Sequence, residues 1–318
     1  MGKKLLAVYI AVSLLLLAAL VFYFGADRVL SSLQSVNPIY YLLFALLLVI
    51  INLFMAIRIK YVLGEMDADL DLIDALKAHM GGMLASDFTP ARSGYFATAA
   101  FLSLFKIEGE KALLAIFAPQ MFNFLMKVVF SVLAIMLFAQ QLNLSGNWLV
   151  YVGIAVVFVF VVTGFLVIFS KRFLALFSFS EKIPFAGKFY AIFVKMQEHS
   201  DVVRELAAIL VGFELWFILL KGIAWYLLGQ ALGITLSVPN EFVFYFFLQA
   251  LVILFDFMPT PTIAGAGVTE GALVVILALF GVDTGMAITF GILLRFTGIT
   301  IDAVGSLPVM KNVIGYIG

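Results

Sequence analysis

The 318-residue sequence contains no cysteine. That excludes a disulfide framework, a thiolate metal site and a cysteine nucleophile. Histidine is nearly as scarce: His79 and His199 are the only two, too few for an all-histidine zinc centre. Charge is the third scarcity, with 12% of residues being Asp, Glu, Lys or Arg against roughly a quarter in a soluble globular chain. The 19 basic and 19 acidic residues cancel, so no basic field is present to hold nucleic acid. A serine–histidine arrangement, a nucleotide-binding glycine loop and a zinc motif are also missing, and no catalytic residue, metal or cofactor is expected. What the sequence has instead is apolar surface, 64% of its residues. Such a chain is expected to be an all-α polytopic membrane protein.

An α-helix rises 1.5 Å per residue, so ~30 Å of hydrocarbon takes about 20 apolar residues. Six segments meet that length: Leu5–Phe24, Ile39–Ile57, Lys111–Gln140, Trp148–Phe169, Glu205–Gly229 and Gly285–Leu307. The first follows Lys3 and Lys4 as a signal peptide would, but its apolar run is long and no clear small-x-small site follows. It is expected to stay as a span. Two further apolar regions are broken, 79–105 at Ser86–Gly94 and 241–280 at Asp256–Gly267. The arms of the first are too short to cross. Irregular backbone at membrane depth survives only inside protein or beside a wet cavity. Both regions are therefore expected to be re-entrant broken-helix hairpins.

Six spans and two hairpins can be tested against the basic residues. With a cytoplasmic N-terminus, the Lys and Arg residues of the loops and span ends, Arg58 and Lys60 among them, face the cytoplasm, and only Arg28 lies outside. The C-terminus is then cytoplasmic too. The same layout exposes a repeat: Tyr61-Val62-Leu63-Gly64 is echoed by Tyr226-Leu227-Leu228-Gly229, and Asp87-Phe88-Thr89-Pro90 by Asp256-Phe257-Met258-Pro259. Three crossings per half make the second half inverted, an arrangement that places a site near the midplane. Residues 1–170 hold the first repeat, with hairpin 79–105, and 205–318 hold the later spans and hairpin 241–280 of a second repeat that begins at span 148–169. Between them, 171–204 mixes aromatic and basic residues, either an amphipathic helix on the cytoplasmic leaflet or an ordinary connector.

Four cations fall at membrane depth: Arg92, Lys127, Lys221 and Arg295. Each costs roughly 2.5–3.5 kcal/mol at a helix centre, so each needs a partner, water or a ligand. Gln120, Asn123 and Lys127 recur at i, i+3, i+7 and form one polar stripe, near a Pro119 placed to kink its span; Gly291, Arg295, Gly298 and Asp302 form another. Asp87, Glu214, Asp256, Glu270 and Asp302 are the acidic candidates for pairing, and ion pairs that lock the fold would account for the same charges. Arg92 lies in a hairpin break beside helix termini, where free N–H groups suit a phosphate. Gly265 and Gly267, before the helix expected from Val268, offer a similar cradle. The Asp67–Asp71 run lacks the glycine and closing glutamate of a calcium loop and reads as a solvated acidic face. The two histidines are assigned structural roles.

At the two broken segments the sequence resembles the lysylphosphatidylglycerol synthase transmembrane-region family, which includes the flippase part of the bacterial multiple peptide resistance factor. The family's Pro-x-Arg-x-Gly-Glu element stands here as Pro90-Ala91-Arg92-Ser93-Gly94-Tyr95. Its Pro- and Gly-rich break ending in glutamate, followed by Gly-Val and an arginine, matches Pro259 to Glu270, Gly281-Val282 and Arg295. Tyr95 replaces the usual glutamate, and Gln120 stands near where the family often has an acidic–arginine pair. Lysine transfer to lipid is not expected, since that belongs to a soluble domain outside this resemblance.

The resemblance and the buried charges together imply a transporter of the cytoplasmic membrane that moves an anionic, phosphate-bearing lipid, a phospholipid or a polyprenyl phosphate, between leaflets. Arg92 and Arg295, with Lys127, would hold the phosphate; Asp87, Asp256 and Glu270 would pair with them in the empty site. A membrane-embedded glycosyltransferase or phosphatase and a non-catalytic scaffold are the alternatives. A lipid-sized polar cavity between the broken helices separates these readings.

Overall fold

A computed structural model describes residues 15, 18–19, 21–23, 25–89, 94–138, 148–256 and 266–317; at 148–151, 153–154, 157, 184–185, 188–189, 253–256 and 309–317 it describes the backbone alone. Most of the expected first span, together with Arg92, Gly265 and the side chain of Asp256, lies outside the described residues.

No strand occurs among the described residues. In chain order the helices are α1 (Ala26–Gln34), α2 (Pro38–Gly64), α3 (Leu72–Asp87), α4 (Gly94–Leu104), α5 (Gly109–Phe138), α6 (Trp148–Phe169) and α7 (Lys171–Ala175). They continue as α8 (Pro184–Glu198), α9 (Ser200–Glu205), α10 (Ala207–Ala231), α11 (Glu241–Asp256), α12 (Val268–Leu279) and α13 (Thr284–Ile317). Helices α2, α5 and α10, and α13 from Thr284 to Pro308, are each long and apolar enough to cross a membrane. Helix α6 has the length, 22 residues. Helix α5 runs unbroken through Pro119. The connector is divided rather than continuous: α7, a 3-10 turn at Ser178–Lys182, then α8 and α9.

Helix α2 shows why these segments sit in a membrane. Pro38 occupies its first turn, and the Asn37 side chain accepts from the N–H groups of Ile39 (3.0 Å) and Tyr40 (3.4 Å), satisfying two orphan donors. Leu42, Leu46, Val49, Ile50 and Leu53 are exposed along one face, while Phe44, Leu48, Ile51 and Met55 are buried on the other. A helix apolar all round is packed on one side and wetted by lipid on the other.

Helices α3 and α4 form an antiparallel pair at very close approach. A Cβ on Gly82 would lie 1.7 Å from Thr98 Oγ1, and one on Gly94 would lie 2.2 Å from the backbone nitrogen of Ser86. Backbone cannot swing aside as a side-chain tip can. Gly94→Ala is therefore expected to destabilise the protein by about 1–3 kcal/mol, measured as a fall in the detergent-solubilised thermal midpoint, whereas Gly298→Ala, whose Cβ would meet nothing within 4 Å, should leave the midpoint unchanged. The first arm of this pair begins at Leu72, seven residues earlier than the expected His79, because the apolar period extends back through Leu76 and Ala75.

Contacts sort the helix ends into two groups. At one end of the bundle, Asn37 N donates to Ala231 O (2.7 Å), Arg28 faces Asp283 (3.9 Å), and the rings of Phe244 and Phe280 lie 4.5 Å apart. The start of α11 and the finish of α12 thus meet at the same end. At the other end, Lys60 Nζ donates to Leu70 O (2.8 Å), Lys195 faces Glu110 (3.8 Å) and Gln197 donates to Val167 O (2.7 Å). The start of α3 and the chain leaving α4 lie there. Each end has its own apolar core. On α2 the boundary between cores falls at Met55 and Ala56, on α5 between Val128 and Ala134, and on α10 between Leu210 and Phe217. Arg58, Lys127, Ser131 and Glu214, all buried, lie near this boundary.

Candidate functional site

A cavity of about 200 Å³ opens between the two cores, many times the ~10–15 Å³ that a single water requires. Its walls come from α2, α3, α4, α5, α10, α11, α12 and α13. Polar side chains at such depth are costly unless hydrogen-bonded or paired, and three arrangements meet that demand.

The first is built around Glu214 of α10, which is completely buried. One carboxylate oxygen accepts from Arg58 Nη1 of α2 and the other from Asn123 Nδ2 of α5, while Gln120 Nε2 donates to Asn123 Oδ1 at 3.3 Å. This corrects the expectation that Arg58 flanks the membrane in the cytoplasm. Helix α2 runs on to Gly64, and Ala56, Ile59, Val62 and Leu63 bury its last two turns, so Arg58 is an interior residue, 3% exposed.

The second joins the broken second half to α13. Glu270, in the first turn of α12, accepts from Arg295 Nε with one oxygen and from the Gly267 backbone N–H, at 2.7 Å, with the other. Gly267 precedes the helix with φ 86°, a left-handed conformation that favours glycine. Gly291 lets α13 approach, since a Cβ there would stand 3.0 Å from Glu270 Cγ. The carboxylate thus lies between a guanidinium and a helix N-terminus, the position an external oxyanion would seek.

The third links α2 to α13: Asn52 Nδ2 donates to Asp302 Oδ1 at 3.2 Å, and five residues before Asp302 the Tyr41 hydroxyl meets Thr297 Oγ1 at 2.8 Å. Beside these, the ammonium groups of Lys127 and Lys221 sit 5.7 and 5.5 Å from the centroid of the same ring, Phe217, a cation–π geometry.

Of the residues expected at the site, Lys127, Arg295, Asp87 and Glu270 line this one cavity, and Gly267 caps the helix that carries Glu270. The stripes Gln120–Asn123–Lys127 and Gly291–Arg295–Gly298–Asp302 both face it. Sequence reasoning missed Asn52, Arg58, His79 and Gln249, which also line it. A usable signal existed for Arg58: Leu48, Ile51, Asn52, Met55, Arg58 and Ile59 follow one helical face. Among the described residues the wall carries four cationic side chains, Arg58, Lys127, Lys221 and Arg295, and three carboxylates, Asp87, Glu270 and Asp302.

The profile of the lysylphosphatidylglycerol synthase TM region matches residues 7–305. The chain belongs to that family. The match contains every residue that lines the cavity, so the whole site lies within the lysylphosphatidylglycerol synthase TM region. No individual curated protein matches the chain. Family and spanning helices together make this a multi-pass integral membrane protein.

Proposed function

We propose that this chain moves an anionic, phosphate-bearing lipid between the leaflets of the cytoplasmic membrane, without bond chemistry, with both termini on the cytoplasmic side. The observation that carries the reading is the cavity between two apolar cores, with four cations on its wall. A scaffold has no use for desolvated charge around an open volume, and charged side chains inside a membrane mark substrate paths.

On this reading, α3–α4 is a re-entrant hairpin dipping from the cytoplasm and α11–α12 one dipping from outside. Their helices are too short to cross, 16 and 11 residues in one pair and 16 and 12 in the other, and the two pairs have their ends at opposite ends of the bundle. Register supports an inverted repeat. Helices α3 and α11 start 169 residues apart, at 72 and 241, and finish 169 apart, at Asp87 and Asp256. Helices α5 and α13 start 175 apart, at 109 and 284, and the cavity-lining Ile116, Gln120, Asn123 and Lys127 lie 175 before the cavity-lining Gly291, Arg295, Gly298 and Asp302. Two related halves meeting at a central site are suited to alternating access.

Substrate phosphate would enter from one leaflet, displace the Glu270 carboxylate from Arg295 and the Gly267 N–H, and leave when Glu270 returns. The test is a vesicle assay with fluorescent phosphatidylglycerol. Wild-type protein is expected to move it at least about tenfold faster than protein-free vesicles, and Arg295→Ala to remove most of that gain. Equal rates with and without wild-type protein would overturn the proposal.

A further inference from the structure

We infer that Gln249, with Lys127 and Lys221, forms a second oxyanion subsite on the α5–α10–α11 wall of the cavity, taking a phosphate oxygen before it reaches Arg295. The inference rests on the transport reading for the source of that phosphate, but not for the site itself. Gln249 lines the cavity, is 4% exposed, and its Nε2 has no hydrogen-bond partner. A buried donor left unmade is costly and calls for a ligand or another explanation.

Local packing brings the three helices together at this wall. Ser131 Oγ of α5 donates to Ala250 O of α11 at 2.7 Å, which fixes α5 beside Gln249; Lys127 lies one turn earlier on α5. Gly222 of α10 lets α11 approach so closely that a Cβ there would stand 2.8 Å from the Phe246 ring; Lys221 precedes it in sequence. Phe217 lies within reach of both ammonium groups. An amide N–H and two ammonium groups offer donors from three helices, which suits a tetrahedral, acceptor-only group.

Gln249 differs in kind from Arg295. There the donors are already engaged by Glu270, so an incoming anion must evict a carboxylate. The Gln249 amide N–H has no internal partner to lose. A headgroup can dock at the wall first and exchange with Glu270 second, dividing one high barrier into two lower ones. The shared chemistry is a phosphate oxyanion, whose source is either a lipid headgroup or free phosphate.

The experiment measures binding to purified full-length protein by native mass spectrometry, together with thermal midpoints. The probes are phosphatidylglycerol, diacylglycerol with the same tails, and inorganic phosphate. Wild-type protein should retain phosphatidylglycerol over diacylglycerol. Gln249→Leu should weaken that retention about tenfold while its midpoint equals or exceeds wild type, because it removes an unpaired buried donor. A glutamine serving only the fold would lower the midpoint and leave affinity alone. Gln249→Glu, which turns the donor into a like charge, should weaken retention about 100-fold, and Gln249→Asn should keep part of it.

Unchanged phosphatidylglycerol affinity in Gln249→Leu, with loss in Arg295→Ala, overturns the subsite and leaves the transport reading standing. A Gln249-dependent response to inorganic phosphate but none to phosphatidylglycerol keeps the subsite and overturns the lipid reading. Binding of neither probe overturns both.

Discussion

Arg58→Met should cost about 3–5 kcal/mol of stability, the usual penalty for stranding one member of a buried ion pair. Glu214 has no exposed surface, and without the guanidinium its charge would keep only the Asn123 amide among the contacts described above. Double replacement, Arg58→Met with Glu214→Leu, should recover most of the loss, because apolar side chains of similar volume satisfy the site without desolvating charge. Unfolding in mixed micelles, followed by tryptophan fluorescence, measures both. A loss in the double variant as large as in the single one would mean that Arg58 acts through packing of its stem rather than through charge. The pair joins α2 to α10, and Asn123 brings in α5, so this cluster fastens three of the long helices at the cavity wall. Pairing at Arg58 is compatible with the proposed transport role of the other charges on the cavity wall.

How much of this was legible from sequence depended on the range of the interaction. The stripes on α5 and α13 could be read because polar residues at i, i+3, i+7 in an apolar run have a single local explanation, a shared helical face. The two breaks could be read because Pro and Gly interrupt hydrophobic runs too short to cross. Arg58 was misplaced because a basic residue at the end of an apolar run ordinarily marks the membrane surface. Here α2 continues beyond it, sheathed by other helices, and its partner Glu214 is 156 residues away. A single sequence carries no trace of that pairing. Gln249 escaped for a related reason: one amide in a Phe-rich helix is unremarkable until the fold shows that it lines a cavity with its N–H unpaired. The connector was expected as one amphipathic helix or a plain linker; Pro184, which occupies the first turn of α8, sets the start of a new helix where one continuous helix would have had to pass.

The decisive consequence of the Glu270 geometry is a pair of substitutions with opposite signs. Glu270→Gln keeps an oxygen to accept from the Gly267 N–H but removes the negative charge that holds Arg295. An incoming phosphate would then meet a guanidinium without an internal competitor, and close charge pairs at buried interfaces couple by about 1.5–7 kcal/mol. Anionic lipid should therefore bind about 100-fold more tightly, a change of about 2.7 kcal/mol, while translocation slows because nothing drives release. Arg295→Gln should do the reverse to affinity. The midpoint supplies a second readout: Glu270→Gln strands a positive charge when empty, so its unliganded midpoint should fall, and phosphatidylglycerol should raise it further than it raises that of wild type. Tighter binding with unimpaired transport would show that the carboxylate holds the fold but does not release the substrate. Weaker binding would show that Glu270 belongs to the ligand's own coordination, and the competition between internal carboxylate and phosphate would have to be abandoned.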